Sequence, residues 1–233
     1  MSDPCEDTLK GNRPAITEIS CSGSPLDDCL NDSHVALWID HLKEHGCDIQ
    51  FKCYSCGEED GPNGLFCKDN ETIYLCADTE HLCCVVREEL LHAMQSDCIA
   101  RSKRILRDIP VALDCEDKFL QWLQDEGHGQ LVHPSNVEAV HNCLDCLAKE
   151  LQAKYCSRCC HEGGGYYEEG IDPFDCAWEM TKNSCGECAQ LQLGTQPFDP
   201  DLFKQFLGAP AGEACKTLLL SCAKVPYPSS TPG

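Results

Sequence analysis

One short run carries residues whose types and spacing could do chemistry: Val85-Val86-Arg87-Glu88-Glu89-Leu90-Leu91-His92-Ala93. In a zincin, H-E-x-x-H sets two histidines at i and i+4 on one helical face to bind zinc, and the glutamate between them is the general base. The zinc lowers the pKa of its bound water and that glutamate takes the proton. Here His92 holds the second histidine's place, Glu89 the general base's place, and Glu88 stands where the first histidine would be. A carboxylate is an acceptable zinc ligand, so E-E-x-x-H remains compatible with one Zn2+ ion. A second anionic ligand makes that ion a weaker Lewis acid. The plain alternative is a solvated acidic helix face that happens to carry a histidine.

The elements around this run follow from periodicity. From Leu82 to about Ser96 the spacing is helical. Upstream, Asp32 or Ser33 can cap a helix with Val35, Trp38, Ile39 and Leu42 on one face, ending at Gly46. Ile49, Phe51 and Cys53 alternate as a strand does, and Thr72–Cys76 reads as a second strand, with a turn region from Cys56 through Gly64 between them. These strands imply a small antiparallel sheet. Downstream, Ser135 can cap the longest helix, along which Val137, Val140, His141, Leu144, Leu147, Ala148 and Leu151 recur to about Tyr155. A short amphipathic piece lies around Phe119, Leu120 and Leu123. Further helical stretches fall near Cys176–Lys182 and Ala211–Ala223, the latter with Cys215, Leu218, Leu219 and Cys222 on one face. The class is α+β, mainly α.

Charge narrows the function. The 233 residues hold 39 acidic against 18 basic side chains, a net charge of −21. Phosphate backbones need compensating Lys and Arg, so nucleic acid is excluded as a partner. No apolar run approaches the roughly 20 residues that span a bilayer, so no transmembrane segment is expected and any membrane contact is peripheral.

The 22 cysteines, an even number at high density, read as a disulfide framework of an oxidising compartment. Metal binding by some of the thiols is the alternative. Four C-x-x-C pairs occur: Cys53/Cys56, Cys143/Cys146, Cys156/Cys159 and Cys185/Cys188. A thioredoxin-like role lacks the βαβ context such a motif needs. The acidic N-terminal stretch Met1–Asp7 has neither a basic n-region nor an apolar h-region, so no secretory signal is expected in it.

Several segments, in order, resemble the mitochondrial intermembrane-space metalloprotease family that matures a subunit of the ATP synthase and assists its assembly. Ala36–Cys47 looks like the family's first helix, closing on Gly-Cys. Phe51–Cys56 is similar to its F-x-C-x-x-C segment, and Thr72–Cys76 to the strand that precedes the active helix. Val85–Ala93 aligns with V-V-x-H-E-L-I-H-A, and Leu147–Ala153 with A-C-S-E-[IV]-R-A, followed by Cys160. The Cys176 helix and the Cys215–Cys222 segment have counterparts too. Two departures stand out. Glu88 replaces the first histidine, and Gln95 replaces an aspartate three residues beyond the second, with Asp97 close enough to substitute.

The resemblance implies a zincin-like helical domain with a small Cys-stapled N-terminal antiparallel sheet. It implies import into the intermembrane space without a cleaved presequence, oxidation there, and residence near the inner membrane. As a site it implies Glu89 as catalytic base, with His92, Glu88 and, from the long helix, Glu150 as Zn2+ ligands; Asp97 is the rival third ligand. His141 reads as a core histidine, His161 as a candidate for a thiol-metal cluster, and Arg87 as one half of a helix-face ion pair. The expected organisation is an extended Cys-containing arm over 1–33, a single metallopeptidase-like domain over 34–224 with an insertion at 99–140, and a disordered tail over 225–233. The expected function is a divergent zinc metalloendopeptidase acting on a protein or peptide substrate, with ATP synthase subunits among its partners. The alternative is an inactive pseudoprotease that serves as an assembly chaperone or binding protein.

Overall fold

The computed structural model describes residues 4–11, 13, 16–23, 26–57, 62–100, 110–128, 137–182, 184–185, 188, 192–193 and 196–228. The fold is mixed α+β and about half helical. Where one domain over 34–224 is expected, the chain forms two compact units. The first is Met1–Ile105 with Gly163–Tyr166 and Ala223–Gly233; the second is Leu106–Glu162 with Tyr167–Cys222.

The first unit holds α1 (Pro4–Lys10), β1 (Thr17–Ile19), α2 (Leu26–Leu30), α3 (Ser33–Glu44), β2 (Gln50–Ser55), β3 (Gly64–Cys67), β4 (Thr72–Cys76) and α4 (Leu82–Gln95). The N-terminal arm is therefore folded rather than extended. Leu9 is fully buried in a cluster with Tyr54 and Tyr74, and Cys5–Cys67 and Cys21–Cys53 tie the arm to the sheet. The α3 helix starts as its sequence requires. The Asp32 carboxylate accepts the His34 and Val35 amides at 3.0 and 3.2 Å, filling donors that the first turn leaves open. Val35, Trp38 and Leu42 face inward. Gly46, at φ +93°, takes the left-handed turn that ends the helix at little steric cost.

The sheet is not antiparallel throughout. Its order is β1-β2-β4-β3, with β2 and β4 parallel in register Phe51↔Ile73 and Cys53↔Leu75, and β3 antiparallel to β4. Parallel neighbours need a long connection. The segment between Ser55 and Thr72 is long enough, and it contributes β3 on its way back. Every residue of β4 is buried, which is the signature of a strand covered on both faces rather than one alternating between core and water. Cys56–Cys76 bridges β4 to the end of β2, and Cys47–Cys98 joins the segments that follow α3 and α4.

Residues 225–228, expected to begin a disordered tail, belong to the same unit and are packed. Val225 is buried, Trp38 Nε1 donates to the Pro226 carbonyl at 2.5 Å, and the Tyr227 ring meets Trp38 and His34 edge-on.

The second unit holds α5 (Pro110–Asp125), α6 (Val137–Cys156), α7 (Pro173–Thr181), a two-stranded pair β5 (Gln192–Leu193) and β6 (Gln196–Pro197), α8 (Asp201–Gly208) and α9 (Glu213–Leu219). Phe119 packs against Phe203 and Phe206, each at 5.4 Å between ring centroids. Trp178 Nε1 donates to Asp201 at 2.7 Å. Leu218, expected on the buried face of α9, is 39% exposed. Ser135, the expected cap of α6, and the basic run Arg101–Arg104 lie outside the described residues.

The protein contains ten disulfides. No C-x-x-C pair closes on itself. Instead Cys143–Cys188 and Cys146–Cys185 join two such pairs crosswise, stapling α6 to the segment after α7. Cys115–Cys215 links α5 to α9 across a sequence separation of 100. By loop-entropy reasoning closures of this length each remove on the order of 3–5 kcal/mol of freedom from the unfolded chain. That helps strands of three to six residues hold a sheet.

Candidate functional site

The helix that carries the E-E-x-x-H run, α4, is buried on nearly every side, packed against α2, α3, β3 and β4. A helix covered on nearly every side lies in the core. Glu88 and Glu89 are carried in with it, at 6% and 8% exposure. Carboxylates are rarely so buried without partners, because desolvating a charge is costly.

Glu89 has a specific partner. Its Oε2 accepts the backbone N–H of Phe66 on the edge strand β3 at 2.7 Å. An outward amide of an edge strand is otherwise open to water or to another strand; here a carboxylate from the helix takes it. The close approach depends on Gly64, where a Cβ would lie 2.5 Å from Val85 Cγ1 and 2.9 Å from Glu89 Cγ. Sequence reasoning placed Gly64 in a turn and missed β3. The signal was only the short apolar pair Leu65-Phe66 ahead of Cys67.

His92, half-buried, is oriented by Gln95. Its Nδ1 lies 2.9 Å from Gln95 Oε1. An amide oxygen only accepts, so Nδ1 carries the proton in this pair. This is the arrangement that holds the ring of a metal-ligating histidine, and Gln95 supplies it in place of the aspartate. Asp97 is exposed.

Arg87, expected in a helix-face ion pair, has its partner at another helix. It reaches Asp32 at the start of α3, Nη2 to Oδ2 at 2.8 Å. Burial works to raise the Asp32 carboxyl, but the Arg87 guanidinium and the α3 amides outweigh it and hold the group below the ordinary carboxylate range.

Glu150 lies on α6, in the second unit, where its carboxylate pairs with the buried Lys154 at 3.3 Å. His141 is not a core histidine: its side chain is 39% exposed, and its Nδ1 is hydrogen-bonded to Glu116 Oε2. The two line a small, largely apolar cleft together with Leu144, Ala148, Phe203 and Leu219. His161 packs edge-on against Tyr155. Burial and the nearby Arg158 charge lower its pKa, with Asp172 opposing. Its expected thiol neighbours are in disulfides.

Within the first unit, Glu88, Glu89 and His92 do not form a group of three converging donors. Among the described residues one such group exists that could hold a metal: Cys47, Glu71 and Cys98, with donor atoms within 4.8 Å of one another. Cys47 and Cys98 are bonded to each other, and a disulfide sulfur lacks the thiolate charge that binds zinc. The oxidised protein thus presents one carboxylate there, and Glu71 already accepts the Asp48 amide at 2.9 Å. This group does not fit a zincin's zinc site, which needs three protein ligands around an open position.

No family model, no curated protein and no solved structure matches the chain. Among the described residues, no helix is long and apolar enough to cross a membrane.

Proposed function

We propose that this protein is a metallopeptidase-like binding protein that holds a peptide or protein client without hydrolysing it. The observation that carries this reading is the Glu89–Phe66 hydrogen bond. A general base must be within reach of the water it deprotonates; here one oxygen of that carboxylate holds the Phe66 amide at the edge of the sheet, which is a structural role. Glu88 in place of a histidine, and disulfides in place of thiolates, support the same reading. The client class follows from charge: a net charge of −21 steers a basic segment towards the surface. By resemblance, the setting is the mitochondrial intermembrane space and the process is ATP synthase assembly.

The second reading, a working divergent zinc metalloendopeptidase, is favoured by one observation, the His92–Gln95 pair that fixes the ring through Nδ1 as a ligating histidine's ring is fixed. The two readings separate in one assay. Non-reduced protein is mixed with a basic, quenched-fluorescent peptide, with and without added zinc. Binding that weakens with salt and no zinc-dependent cleavage supports the binding protein. Cleavage that is lost in Glu89→Gln supports the hydrolase.

A further inference from the structure

The second unit carries a site in which α4 has no part. Glu116 on α5 is buried, at 9% exposure, and its Oε2 accepts from Nδ1 of His141 on α6. An ionised carboxylate only accepts, so Nδ1 carries the proton and, in the neutral ring, Nε2 carries the lone pair. Among the described residues Glu116 is the one hydrogen-bond partner of that imidazole, whose partial exposure puts it at the rim of the cleft that both residues line. The buried side chains of Leu144, Phe203 and Leu219 supply apolar walls from α6, α8 and α9. Cys115 lines the cleft as well, and its disulfide to Cys215 ties α5 to the helix that carries Leu219. Walls held in this way before a ligand arrives lower the ordering cost of binding. An apolar cleft with a few placed polar groups is the common form of a small-molecule site.

We propose that this cleft binds a small neutral phenol, its ring against Phe203 and Leu219 and its hydroxyl donating to Nε2 of His141. Each part of the ligand answers a part of the site. Phe203 belongs to an aromatic cluster with Phe119 and Phe206, and a ring entering beside it gains the edge-to-face or offset contacts that aromatic pairs favour. A lone-pair nitrogen at the rim calls for a hydroxyl donor. Asp145, the other charged residue of the lining, is paired with Lys149 one turn along α6, which leaves the imidazole as the acceptor. A carboxylate ligand would meet Glu116 and Asp145 and be repelled. A cleft this small suits a free ligand of one ring rather than a length of chain.

The test titrates the full non-reduced chain with p-cresol and follows binding by calorimetry and by the His141 ring signals in NMR. The expected result is saturable binding of one p-cresol, with Nε2 of His141 shifting as an acceptor. Toluene, the same shape without the hydroxyl, should bind about 3–10-fold more weakly. His141→Leu should remove that difference, and Ala148→Met, which fills the cleft, should abolish binding of both. No saturable binding, equal affinity for p-cresol and toluene, or shifts that leave the His141 ring unmoved would overturn the proposal. Tighter binding of p-toluate or benzylamine would also overturn it, by assigning the cleft to a charged ligand, and tighter binding of N-acetyltyrosinamide would do so by assigning it to a peptide side chain. The wild-type comparison decides the matter even if a variant fails to fold, and it does not depend on whether the protein binds or cleaves a client.

Discussion

Glu89 Oε2 accepts the Phe66 amide at 2.7 Å, so the residue in the general base's position of the E-E-x-x-H run is bonded to the edge of the sheet. A buried carboxylate in that position can serve architecture, and its substitutions should then report on stability rather than on catalysis. Glu89→Gln keeps an acceptor for Phe66 and should change stability by less than about 1 kcal/mol. Glu89→Ala leaves a buried amide unsatisfied and should cost about 1–3 kcal/mol. Denaturant unfolding of the non-reduced variants checks both. A Glu89→Gln protein as unstable as Glu89→Ala would contradict the assignment.

Gly64 makes that bond geometrically accessible. Gly64→Ala would put a methyl 2.5 Å from Val85 Cγ1, and a β-branched neighbour in a packed helix has little room to give. We expect a loss of about 1–3 kcal/mol from overpacking, seen as a lower denaturation midpoint. The same substitution at Gly127, where a Cβ meets nothing within 4 Å and φ is +86°, separates packing from backbone strain.

The His92–Gln95 pair predicts how a metal site could be rebuilt. Glu88→His creates two histidines at i and i+4 and should raise zinc affinity by orders of magnitude in calorimetry. Adding Gln95→Leu should then give back about 10–100-fold, because the ring loses the acceptor that fixes it. No gain in affinity from Glu88→His would show that Nε2 of His92 is not available to a metal.

Acid sensitivity should trace to two carboxylates. Burial tends to raise Asp32, but Arg87 and the α3 amides lower it further. Asp78 is likewise opposed by burial yet lowered by the Gly57 and Cys56 amides and the Ser55 hydroxyl. A depressed folded-state pKa means the stabilisation is complete above the unfolded carboxylate pKa of about 3.9 and is lost as pH falls through the lower folded value. Denaturation midpoints should therefore hold from neutral pH to about 5 and drop below about 4. Asp32→Asn and Asp78→Asn should each flatten that drop. Variants with an unchanged acid profile would refute the attribution.

The parts legible in the sequence were those written in local pattern. Asp32 before Val35, Trp38 and Leu42 announced α3, and the spacing from Leu82 announced α4 almost to the residue. The sheet was misread because its order is non-local. Thr72–Cys76 shows a strand but not that its neighbour runs parallel, and Gly64–Cys67 is too short to stand out beside a glycine-rich turn. The arm looked structureless because its order comes from Cys5 and Cys21, whose partners lie far along the chain. At the site, residue types identified α4, while the Glu89–Phe66 and His92–Gln95 bonds depend on side-chain geometry that no spacing encodes. The division of the chain into two units, with α4 in the first and Glu150 in the second, was equally invisible, since a resemblance aligns segments without showing how they divide into bodies.

The proposed binding role requires that α4 hold no metal. Native mass spectrometry of the non-reduced protein, exposed to zinc and then desalted, tests it most directly. The account predicts ten disulfides, two free thiols and no retained zinc. One zinc per chain, lost on His92→Ala, would contradict it and restore the hydrolase.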